Sequence, residues 1–152
     1  ADPVLQRYPA NAYATPQRAY QDLLDDVLFA CAARRAAADH AGRGSTVYHY
    51  VLSAILPDGG FPALESFHGL DIALLFGPRA QAAEPERTLT ARMQQAWVDF
   101  AYGREPGATD GLVWPRYVVP DRNSIELDLS RVAPIADYRQ SFCDFWNTYA
   151  IL

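Results

Sequence analysis

The chain contains no lysine; all 13 of its basic residues are arginine, set against 18 acidic ones. The arginines are scattered rather than striped and the net charge is −5, so the basic footprint needed for a phosphate backbone or an anionic membrane is missing. None of the six serines lies in G-x-S-x-G, and Ser45, within Gly42-Arg43-Gly44-Ser45-Thr46, has its glycines at the wrong offsets. A Gly-rich phosphate loop, G-x-G-x-x-G and H-E-x-x-H are all lacking, and no cofactor is expected. No stretch approaches the roughly 18 apolar residues of a membrane span. The first residues, Ala1-Asp2-Pro3, do not have a signal-peptide layout, although a signal already removed leaves no trace. There are only two cysteines, Cys31 and Cys143, neither in a C-x-x-C pair, and His40, His49 and His68 show no metal-ligand spacing beside them. The residues alone leave two states open for the cysteines: two buried free thiols, or one long-range disulfide that implies an oxidising compartment.

What is present is core material. Half of the 152 residues are hydrophobic and 12% are aromatic, which excludes disorder and sets an upper limit of one domain. Pro3, Pro9 and Pro16 cut the first stretch into short extended pieces. Thr15-Pro16 reads as an N-cap followed by proline in the first turn, opening a helix over residues 17–39. Its apolar stripe is Tyr20, Leu23, Leu24, Val27, Leu28 and Cys31, and Gly42 and Gly44 end it. Residues 46–52, β-branched and aromatic without alternation, read as a strand covered on both faces, bounded by Pro57-Asp58-Gly59-Gly60. A loop with Phe61, Phe67 and His68 leads to a short helix over 69–76, closed by Gly77-Pro78. A second long helix, capped by Thr88, carries Leu89, Met93, Ala96, Trp97 and Phe100 inward. Residues 104–111 form a turn-rich surface loop, 117–119 and 124–129 are strand candidates, and a final helix starts near Ala136. One strong strand cannot make a parallel sheet alone, so the expected class is α/β with an incomplete sheet and packed helices.

Chemistry then falls on the histidines. His68 follows a buried strand and precedes a short helix, a place where α/β folds put functional groups, although by spacing alone it reads equally as a partly exposed loop histidine. His49 in mid-strand reads as a satisfied core or edge histidine, and His40 as a helix-end residue favouring the negative pole. Glu65 and Asp71 flank His68 as ordinary surface carboxylates.

Phe67-His68-Gly69-Leu70-Asp71-Ile72 through Leu75-Phe76-Gly77 resembles the histidine motif of type-B carboxylesterases, the cholinesterase-like branch of the α/β-hydrolases. Further pieces follow in the family's order. Asp26-Val27-Leu28-Phe29-Ala30-Cys31 looks like its helix motif, and Val47-Tyr48-His49-Tyr50 like the last long strand. Met93-Gln94-Gln95-Ala96-Trp97-Val98-Asp99-Phe100-Ala101 is similar to the helix after it, and Trp114-Pro115-Arg116-Tyr117 and Cys143-Asp144-Phe145-Trp146 complete the series.

The resemblance implies that residues 1–152 are the C-terminal segment of one α/β-hydrolase domain and that His68 is the triad histidine of a serine esterase acting on small-molecule esters. Chain order in these hydrolases is serine, acid, histidine. Serine elbow, acid and oxyanion loop are therefore expected in an N-terminal remainder that acts as partner, and this chain alone should be inactive. The resemblance also implies a Cys31–Cys143 disulfide and a secreted or periplasmic protein. The rival expectation is a non-catalytic cholinesterase-like binding or adhesion domain. Alone, the segment would carry a bare sheet edge that favours self-association; no nucleic acid and no metal partner is expected.

Overall fold

The computed structural model describes residues 2–56, 65–77 and 82–149. Its first element is a short helix, α1 (Pro3–Arg7), where the sequence suggested extended pieces. Asp2 makes the difference: its carboxylate accepts from the Val4 amide at 2.8 Å, and Pro3 sits in the first turn, where its missing N–H costs nothing.

The long helix runs as α2 (Pro16–Asp25), a widened turn (Asp26–Ala30) and α3 (Cys31–Gly42). Thr15 caps it through its hydroxyl, which accepts from the Arg18 amide. The expected stripe is displaced. Ala19, Asp26, Cys31, Arg34 and Ala37 are buried, while Tyr20 is 61% and Leu28 48% exposed. At the widened turn the Cys31 amide bonds back to the Asp26 carbonyl, five residues earlier, so positions 26 and 31 share the inner face and the 3.6-residue period is broken there.

Among the described residues three strands form a sheet, in the order β1 (Tyr50–Leu52), β2 (Ser124–Leu127) and β3 (Val132–Ile135). β1 and β2 are parallel with Tyr50 opposite Ile125, and β3 returns antiparallel with Pro134 opposite Ile125. Pro134 donates nothing to the ladder and so suits an edge strand. Only the end of the expected 46–52 strand is paired as strand. Before it, the Val47 carbonyl accepts from the Tyr117 amide, in a segment, 117–119, that is loop rather than the strand expected there.

The β1-to-β2 crossover holds α4 (Leu70–Phe76) and α5 (Glu86–Ala101). Leu89, Met93 and Ala96 face inward as expected and join Leu70, Leu74, Trp114, Ile125 and Leu127 in the main core. Phe100, expected inside, is 55% exposed. Pro85, not Thr88, occupies the N-cap of α5; the Thr88 hydroxyl instead donates to Glu84 at 2.6 Å.

The final helix, α6 (Gln140–Asn147), starts later than expected and closes a second core of Tyr8, Cys31, Cys143 and Trp146. Cys31 and Cys143 are joined in a disulfide across 112 positions. Beside it Arg139 grips the fully buried Asp26 carboxylate with two donors, Tyr8 donates to the same carboxylate at 2.7 Å, and Trp146 donates to the Tyr8 hydroxyl at 2.7 Å. Among the described residues no helix is long and apolar enough to cross a membrane.

Candidate active site

The site is built from the loop that leaves β1. The Ser66 hydroxyl donates to the Leu52 carbonyl at 2.7 Å and ties the loop to the end of the strand. Gly69, at φ 88°, lies in the left-handed region that a side chain would disfavour, and it turns the chain into α4. Tyr50 of β1 donates to Asp71 in the first turn of α4 at 2.6 Å, which fixes strand and helix to one another. Burial, and then the bond to Asp71, push the Tyr50 hydroxyl well above the ordinary phenol range. His68 sits between these two anchors and is exposed.

His68 opens onto a cleft of about 510 Å³ whose walls include Asp25, Leu28 and Phe29 of the long helix, Val51 of β1, and Phe67. Its ring lies flat on Phe29, with centroids 3.6 Å apart and planes 8° from parallel. No described residue forms a hydrogen bond with either ring nitrogen. The flanking carboxylates are engaged elsewhere: Glu65 pairs with Arg18 at 3.1 Å and Asp71 accepts from Tyr50. Asp25 also faces the cleft. Burial raises its pKa, against a lowering by Arg18, while Asp22 and Asp26 add to the rise and His68 opposes it.

His49 lines the same cleft but is a different kind of histidine. Its Nδ1 lies 2.7 Å from the buried Ser124 hydroxyl, and burial, reinforced by Arg34, holds its pKa down at about 4. It is a neutral histidine bonded within the fold, as its mid-strand position suggested. His40 is exposed near the end of α3. Among the described residues, no group of three or more His, Cys, Asp or Glu side chains could hold a metal ion. Phe67 packs against the main core and Phe76 is 78% exposed, while Phe61 lies outside the described residues. Phe29 and Asp25 were not singled out from the sequence. The available signal was an aromatic residue just off the apolar stripe.

The sequence profile described as "Carboxylesterase family" matches residues 2–146. This chain belongs to the carboxylesterase family. The chain is 26% identical to "Acetylcholinesterase 1" of Caenorhabditis elegans over 96% of its length and 27% of the relative's. It is 28% identical to "Acetylcholinesterase" of Bungarus fasciatus over 88% and 23% of the two lengths. With "Carboxylesterase 5A" of Felis catus it shares 27% identity over 84% and 25%. The chain thus spans about a quarter of the length of the curated relatives it matches. Membership of the carboxylesterase family brings the α/β-hydrolase fold, and the parallel β1–β2 pair with its helical crossover is of that class.

Proposed function

We propose that this chain is the C-terminal segment of a serine carboxylesterase, with His68 as the group that moves the proton. The observation that carries the reading is an exposed imidazole at the mouth of a cleft, on a loop tied down by Ser66, Gly69 and the Tyr50–Asp71 bond. The serine, its oxyanion donors and the acid that orients the imidazole come from the remainder of the hydrolase.

A serine hydroxyl attacks an ester carbonyl only when a base takes its proton as the new C–O bond forms. Imidazole, with an ordinary pKa of about 6.5, does this near neutral pH. The imidazolium returns the proton to the departing alkoxide, leaving an acyl-serine. In the second half the same ring deprotonates water, the carboxylic acid departs, and the proton goes back to the serine. Small-molecule carboxylic esters are the substrate class, and the Cys31–Cys143 bridge favours an oxidising compartment, secreted or periplasmic.

The test is ester turnover by the complete protein and by its His68→Gln variant. The expected outcome is a fall in kcat of about 10⁴-fold or more with the fold retained. A variant that keeps most of its turnover refutes the role. A wild-type protein with no turnover on a panel of esters favours the binding-domain reading instead.

A further inference from the structure

A general base in this chemistry needs both ring nitrogens, one toward the nucleophile and one toward the acid that orients it. The ring must also be held to within about 0.5 Å and 10–20° of its working geometry. A hydrogen bond from a neighbouring side chain would fix the plane only by occupying a nitrogen. A flat contact on the ring face fixes the plane and leaves both nitrogens free.

Phe29 makes that contact, at 3.6 Å and 8° from parallel. It stands there because of the widened turn. With Asp26 clamped by Arg139 and Cys31 held in the disulfide, the i to i+5 step keeps both residues inside and turns Leu28 and Phe29 toward the cleft. Widened turns of this kind are frequent at functional sites.

We propose that Phe29 is a positioning residue for His68, a platform that sets the plane of the imidazole while leaving both nitrogens available. The proposal rests on the reading of His68 as the proton shuttle. The aromatic face also favours the imidazolium formed during the reaction over a bare aliphatic wall.

The test uses the complete protein and two variants, Phe29→Leu, which keeps apolar bulk without a flat face, and Phe29→Tyr, which keeps the face. Phe29→Leu is expected to lower kcat between about 10- and 100-fold with KM little changed, and Phe29→Tyr to recover most of the loss. A second arm needs no turnover. With histidine labelled at Cε1, the His68 ring proton should be shifted upfield by the Phe29 ring current and should move downfield in Phe29→Leu, while His40 and His49 stay in place. Unchanged kcat in Phe29→Leu, no recovery in Phe29→Tyr, or a stationary His68 resonance overturns the proposal. If His68→Gln leaves turnover intact, the shuttle reading fails and takes the catalytic half with it, and the resonance still decides whether Phe29 holds the ring.

Discussion

His49 and His68 line one cleft, yet burial separates their chemistry. His49 is held at a pKa of about 4 by desolvation and then by Arg34, whereas an unperturbed imidazole titrates near 6.5. The native state therefore prefers neutral His49. Its contribution is complete above about pH 6.5 and is lost as the pH falls from there through about 4, a loss of roughly 3 kcal/mol. Urea midpoints measured between pH 7 and 4.5 should fall more in the wild type than in His49→Asn, and equal falls would contradict this account. Asp99 acts at lower pH. Burial works against its charge, but hydrogen bonds from Arg104, Thr109 and Gln95 outweigh burial and hold its pKa near 2. The sequence marked His68 and His49 by their places around the strand, and Cys31 and Cys143 through the family resemblance. It did not mark Asp25 or Phe29, because a cleft wall depends on which way a helix is turned, and one widened turn resets that.

The same turn explains the misread stripe of the first long helix. Periodicity found the helix from Pro16 onward but placed Tyr20 and Leu28 inside, because a regular 3.6-residue count cannot anticipate an i to i+5 step. α5, which has no such step, was read correctly for Leu89, Met93 and Ala96. β3 was missed because Pro134 argues against a strand, a penalty that an edge position removes. The residue 104–111 loop, expected to be mere surface, is anchored to the fully buried Asp99 through Arg104 and Thr109. The disulfide joins α3 to α6, and the buried Asp26–Arg139 pair joins the widened turn to the residue just before α6. Closing a loop of this length is worth about 4–5 kcal/mol in the chain-entropy model. Replacing both cysteines by alanine should lower the unfolding free energy by about that amount. Thiol titration of the denatured, unreduced protein should find no free thiol; two reactive thiols would refute the bridge.

At the scale of the molecule, the main core packs on a sheet whose β1 edge is unpaired among the described residues, and the second core lies among the helices. Ile55, Ile72 and Phe76 are each at least half exposed. Unpaired strand edges and bare apolar side chains are what a larger α/β sheet would cover, in keeping with a segment that spans about a quarter of its relatives' length. On the proposed reading, His68 works only with groups brought by the rest of the hydrolase. The most direct measurement is therefore the rate and site of fluorophosphonate labelling in the complete protein, wild type against His68→Gln. The account predicts one labelled serine outside these 152 residues, with labelling slowed by orders of magnitude in the variant. A stoichiometric adduct on a serine of this chain, or labelling at an undiminished rate without His68, would contradict it.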